Sequence, residues 1–281
     1  MIRLKANVTD GGLEIFDSNF PDNTPFIQFP PSTELLLNSS GGKVIIDFQS
    51  QRPNEIFTLY AITRQLQDRG FELSLNMFYV PNARQDRIKE KKDVFTLKYF
   101  CEIINSLHYK KVLILDPHSN VTPALLNNVE ILSPRRYIMR AIERITKKEL
   151  SEPLLFFPDE GAMKRYSDIF PGYAYWYGMK TRDWETGKIK GYEVRKACKC
   201  DITTPILMVD DICSYGGTFY QAAKELRKHF TDVNIYLYVT HCETNILKGD
   251  LYKSREKYCT QVYTTASLPV IDNNWVTTFT I

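Results

Sequence analysis

Ile206-Leu-Met-Val-Asp-Asp-Ile-Cys-Ser-Tyr-Gly-Gly-Thr-Phe219 joins an apolar run, two acids, a glycine turn and the approach to a helix. Residues 206–209 are apolar on both faces, which predicts a buried parallel strand covered by helices. Asp210 and Asp211 then fall at its carboxyl end, the edge where open α/β sheets bind ligands. Ser214, Tyr215, Gly216, Gly217 and Thr218 supply backbone N–H groups and a hydroxyl at each end. They lead into a helix expected from about Tyr220 to Phe230, whose positive dipole end suits a phosphate. Two acids directly before such a loop suit the hydroxyls of a sugar, so the run predicts a site for a phosphorylated sugar.

The same strand-then-helix alternation extends outward. Apolar runs at 73–80, 111–115, 154–157, 174–177 and 233–240 read as strands; 54–69, 94–107 and 133–149 have helical spacing, with Ser133 a candidate N-cap before Pro134. Residues 1–50 read as β-rich, with short runs at 2–4, 13–16, 26–29, 35–37 and 44–48 cut by turn signals. Strands alternating with helices argue for βαβ units and mostly parallel sheets. The chain reads as two similar α/β halves, 1–132 and 133–281. The polar stretch 179–190, centred on Gly187, is expected to be a hairpin or flap.

The composition is that of a globular chain long enough for one large or two modest domains: 281 residues, 43% hydrophobic and 25% charged. A net charge of +3 gives no footing for a nucleic-acid partner. Cys101, Cys198, Cys200, Cys213, Cys242 and Cys259 are too scattered for a disulfide framework, and Cys198-Lys199-Cys200 lacks the second pair of a zinc ribbon. No apolar run approaches the roughly 18–20 residues of a membrane span, and no signal core opens the chain. A cytoplasmic, reduced protein without a membrane partner is the expectation.

Three more loops follow strands. Arg84, Gln85, Asp86 and Arg87 place two planar guanidinium forks where a polyphosphate could be clamped, or form a solvated charged loop. Asp116-Pro117-His118 brings an imidazole to the same edge, as a ligand or as a structural group. Asp159, Glu160, Gly161, Lys164 and Arg165 combine an acid, a glycine turn and two cations, which suits pyrophosphate or an ordinary turn. No GxxxxGK[ST] occurs, so a nucleotide would be held without a P-loop.

The acid pair and its glycine loop resemble the ribose-phosphate motif of the type I phosphoribosyltransferase fold, departing at Tyr215, where a small residue is usual. Taken with Ala83–Arg87, Asp116-x-His118, Pro158-Asp-x-Gly-x-x-Lys-Arg165 and Lys180-x-Arg182, in that order and at about that spacing, it resembles the ribose-phosphate pyrophosphokinases over about residues 45–245. The resemblance implies two tandem phosphoribosyltransferase-like domains, each a mostly parallel sheet flanked by helices. It implies transfer of the β,γ-diphosphoryl group of ATP to O1 of ribose 5-phosphate, giving phosphoribosyl pyrophosphate (PRPP) and AMP for nucleotide and NAD biosynthesis. Arg84, Gln85, Asp86 and Arg87 would meet ATP, and His118 and Asp159 would hold Mg²⁺. Residues 159–165 would cradle pyrophosphate, Asp210 and Asp211 the ribose hydroxyls, and residues 214–218 the 5′-phosphate. Lys180 and Arg182 would close over the reacting phosphates. A homo-oligomer is implied, with weakened nucleotide regulation because the chain ends early; residues 29–34 would be the counterpart of an adenine-contacting segment. Pro117 and Glu160 are further departures. The competing readings are a phosphoribosyltransferase that consumes PRPP and a catalytically silent regulatory subunit.

Overall fold

The computed structural model describes all residues except 7–11, 51–54, 183–188, 202 and 231; for Glu14, Phe16, Asp17, residues 180–182, Ile189 and Lys190 it describes the backbone alone. The chain divides into two compact units, Met1–Ser133 and Pro134–Ile281.

In the first unit the elements are β1 (Ile2–Lys5), β2 (Leu13–Glu14), β3 (Phe16–Asn19), β4 (Pro25–Gln28), α1 (Thr33–Ser39), β5 (Lys43–Phe48), α2 (Glu55–Asp68), β6 (Glu72–Asn76), α3 (Thr96–Asn105), β7 (Lys111–Leu115), α4 (Val121–Leu125) and β8 (Val129–Leu132). The sheet runs β2-β1-β5-β6-β7-β8, parallel from β5 to β8, with β1 antiparallel to both its neighbours; β3 and β4 form a separate hairpin. Its core centres on Leu4, Ile46, Leu59, Leu66, Leu75, Leu97 and Ile114. Two local expectations fail here. Residues 35–37 belong to helix α1, with Leu37 buried and Leu35 exposed, because a three-residue apolar run has no period of its own. The strand expected at 73–80 stops at Asn76, which leaves residues 77–95 as a long loop at its carboxyl end.

The second unit contains α5 (Arg135–Glu149), β9 (Leu154–Phe157), α6 (Glu160–Tyr166), β10 (Tyr175–Arg182), β11 (Ile189–Lys196), β12 (Ile206–Cys213), α7 (Gly217–Leu226), β13 (Ile235–Cys242), β14 (Gln261–Thr265) and β15 (Val276–Phe279), with shorter helical turns before β14. The sheet order is β11-β10-β9-β12-β13-β14-β15, parallel except for the β10–β11 ribbon. β12 is the middle strand, and residues 206–209 are fully buried as its two-faced apolar pattern requires. Pro134, just before α5, already has helical φ −73° and ψ −7°, as proline's fixed φ suits a first turn. Tyr137, Ile138, Ala141, Ile142 and Ile145 form its buried stripe. Both sheets are mostly parallel and flanked by helices.

Candidate active site

β12 continues through Cys213, so Asp210 and Asp211 lie inside the strand rather than beyond it. Its pairing with β13 runs on to Cys213–Cys242, but its pairing with β9 ends at Met208–Phe156. Beyond Met208 the β9 side is open, and the segment that follows β9 meets the two acids there. Asp159 is the N-cap of α6; its Oδ1 accepts the Ala162 N–H at 3.0 Å. From the other end of α6 the Arg165 guanidinium reaches Asp211 Oδ1 at 3.0 Å. Asp211 is buried, while Asp210 is half-buried and accepts its neighbour's backbone N–H at 2.9 Å. Burial, then the adjacent Asp211 and the nearby Asp159, push the Asp210 carboxyl well above the usual carboxylate range. A crowded pair of acids of this kind is relieved by hydroxyl donors or by a cation. Lys164 and Glu160 are exposed.

The loop after β12 turns at Gly216, whose φ of +78° is left-handed, and α7 begins at Gly217, three residues earlier than its pattern suggested. Gly217 and Thr218 therefore belong to the first turn, which carries no acidic residue. The loop is backed by Gly249. A Cβ built there would stand 1.7 Å from the Tyr215 carbonyl oxygen, so only glycine allows the approach. Ser214 Oγ donates to Glu243 Oε2 at 2.6 Å, and the Asn245 amide donates to the same oxygen at 3.2 Å. The single Ser214 proton is thus directed to Glu243, while the Tyr215 side chain turns out to solvent, 55% exposed. Glu243 and Gly249 escaped the sequence reading; neither carries a local signal.

In the first unit, the loops after β6 and β7 meet. The chain turns at Asn82, φ +63°, with the Gln85 N–H donating to the Asn82 carbonyl at 2.9 Å. Asp86 is buried and holds Arg87 through Nε at 2.8 Å and a second guanidinium nitrogen at 3.3 Å. Burial alone would raise the Asp86 carboxyl, but hydrogen bonds from Arg87 and Ser119 and the charges of Arg87 and His118 hold it below its ordinary value. Asp86 therefore pins the arginine loop to the end of β7, where Asp116, buried at φ +44°, turns the chain toward half-buried His118. Gln85 Oε1 accepts from Thr96 Oγ1 at 2.7 Å. Asp86 and Gln85 shape the loop, whereas Arg84 and Arg87 are exposed.

The expected flap is rooted in the β10–β11 ribbon, with Lys180 opposite Tyr192, Arg182 opposite Ile189 and an irregularity between Thr181 and Arg182. The side chains of Lys180 and Arg182, and residues 183–188 altogether, lie outside what the structure describes.

The sequence has known counterparts. A ribose-phosphate pyrophosphokinase of Pyrococcus abyssi is 27% identical over 225 residues, 78% of this chain and 76% of that protein. One from Thermococcus kodakarensis is 26% identical over 82% of this chain and 78% of its own length. The chain is similar to the ribose-phosphate pyrophosphokinases over most of its length. The crystal structure of phosphoribosylpyrophosphate synthetase from Mycobacterium smegmatis superposes with a TM-score of 0.72 at 17% identity, covering 95% of this chain and 86% of that one, which shows the shared fold. No family model matches the sequence. The arginine loop and His118 fall in the first unit, and the acid pair, the 159–165 segment and the glycine loop fall in the second. Among the described residues no three His, Cys, Asp or Glu side chains form a metal cage. Mg²⁺ does not need one, since it binds through one or two carboxylates plus water and substrate phosphates. The acid-rich end of β12 beside Asp159 fits such partial ligation. Among the described residues no helix is long and apolar enough to cross a membrane.

Proposed function

We propose that the protein is a ribose-phosphate pyrophosphokinase that moves the β,γ-diphosphoryl group of ATP to O1 of ribose 5-phosphate, giving PRPP and AMP. The observation that carries this reading is Asp86, which ties the arginine loop to the His118 turn. A phosphoribosyltransferase that consumes PRPP has no use for that construction; an enzyme that binds a nucleoside triphosphate does. Arg84 and Arg87 then meet the phosphates of ATP, with Gln85 and Asp86 holding their loop. Asp210 and Asp211 accept the ribose hydroxyls, with Arg165 fixing Asp211. The 5′-phosphate takes the backbone N–H groups of 216–218 and the Thr218 hydroxyl. Residues 159–165 receive the transferred pyrophosphate, and Lys180 and Arg182 supply positive charge to its oxygens. His118 in the first unit and Asp159 in the second are each candidates to hold Mg²⁺, which when bound would neutralise charge on the transferring phosphoryl oxygens. The nucleophile is the sugar's own hydroxyl, so positioning and charge are what the protein adds.

The test is ³¹P NMR of the protein with Mg-ATP and ribose 5-phosphate, beside a Lys180→Ala control. AMP and PRPP appear with the wild type and are lost or slowed at least about a hundredfold in the control. If neither forms, the reading fails, and transfer from PRPP to a base or binding to an active synthetase takes its place.

A further inference from the structure

Tyr192 lies on β11, which is separated from β9 by β10. Its hydroxyl nevertheless donates to the carbonyl of Pro158, just past the end of β9, at 2.9 Å. To do so the phenol crosses the full width of β10, and it crosses at Gly178. A Cβ built on Gly178 would stand 2.0 Å from the hydroxyl oxygen, 2.4 Å from the ring carbon that bears it and 2.7 Å from the Pro158 carbonyl oxygen. Any other residue at 178 closes the passage. Tyr192 is paired with Lys180 and Gly178 with Val194, so the crossing is a diagonal neighbour contact within the ribbon that carries Lys180 and Arg182.

The contact acts on one peptide plane. A trans peptide is rigid, so fixing the Pro158 carbonyl also fixes the direction of the Asp159 N–H. Asp159 is the extended residue, φ −158° and ψ 174°, from which the chain turns abruptly into α6. Burial, reinforced by the charges of Asp159 and Asp210, pushes the Tyr192 hydroxyl far above the usual range, so it keeps its proton and donates at any working pH. A buried phenol needs some partner in any fold. Reaching over a whole strand, through a gap only glycine leaves, to the residue before Asp159 is more than that need requires.

We propose that Tyr192 is a positioning residue that ties the β10–β11 ribbon to the head of the 159–165 segment and sets that segment's geometry for a pyrophosphoryl group. It rests on the reading of 159–165 given above. Tyr192→Phe keeps the ring and removes the donor. Calorimetric titration with inorganic pyrophosphate should show affinity reduced about fivefold, the worth of one neutral hydrogen bond. Amide exchange at 160–163 should quicken about tenfold. Ribose 5-phosphate affinity should stay within about twofold and Tm within about 3 °C. In turnover, kcat should fall about tenfold with the KM for ribose 5-phosphate unchanged. Wild-type pyrophosphate affinity and exchange in the variant would overturn the proposal, as would equal weakening of both ligands with a large fall in Tm, the mark of a merely structural tyrosine. Should the variant not fold, the wild type decides: pyrophosphate must slow exchange at 191–194, and no change there overturns the tie. A wild type that makes no PRPP and binds no pyrophosphate sinks the functional reading, and the tie is then judged on the variant's exchange alone.

Discussion

Burial, with Asp211 next to it in the chain and Asp159 nearby, makes Asp210 keep its proton to higher pH than a carboxyl in the unfolded chain. An unfolded aspartate titrates near pH 3.9. From there upward the folded form holds the extra proton, so stability is lost as pH rises through the folded value. Asp210→Asn removes that loss. Thermal melts should show no difference from wild type below about pH 3.5, near the unfolded aspartate value, and a higher Tm than wild type at about pH 8. The same change should lower kcat/KM for ribose 5-phosphate about a hundredfold at pH values where Asp210 is ionised, since a charged acceptor is then lost at the sugar. A gain confined to acid would contradict the assignment. Arg165 carries the opposite burden. Arg165→Met leaves Asp211 buried without its guanidinium and should cost about 3 kcal/mol in urea unfolding. Adding Asp211→Asn should recover more than half, because the harm lies in the stranded charge.

Elements are where the sequence was both most and least readable. The strand, acid pair and glycine loop are a contiguous run whose chemistry and periodicity agree, so 206–219 could be placed on a sheet edge from the residues alone. The alternation of strands and helices was legible for the same reason. Gly249, Glu243 and Tyr192 were not, because each reaches the site by tertiary approach and looks ordinary among its chain neighbours. Residues 35–37 were misread for a different reason: three leucines satisfy a strand or a helix equally. The backing of the phosphate loop by Gly249 gives an element-scale prediction. Gly249→Ala forces the Tyr215 carbonyl to retreat, and with it the turn at Gly216. Ribose 5-phosphate affinity measured by calorimetry should fall at least about tenfold. Gly42→Ala, at a glycine of φ +80° with open space around it, should lower Tm slightly and leave that affinity alone.

At the scale of the molecule, the two units have separate hydrophobic cores, one drawn from residues 2–126 and the other from 154–276. A core of its own is what a domain needs to fold alone. Pro134–Ile281 expressed by itself should therefore give one cooperative thermal transition and bind ribose 5-phosphate with near wild-type affinity, yet form no PRPP from ATP. A fragment that stays unfolded, with no near-ultraviolet circular dichroism, would show that the cores are not self-sufficient. Two interiors also divide the chain's exposure to genetic damage. Leu75→Ala and Met208→Ala each open a cavity in a fully buried position, at a cost of about 2–5 kcal/mol. The first weakens the half that carries the arginine loop, the second the half that carries the acid pair. Hypomorphic alleles should accordingly sort into two phenotypic groups, one starved of nucleotide handling and one of sugar-phosphate handling. Which group an allele joins would be read from the interior it disturbs, with no need for it to touch a site residue.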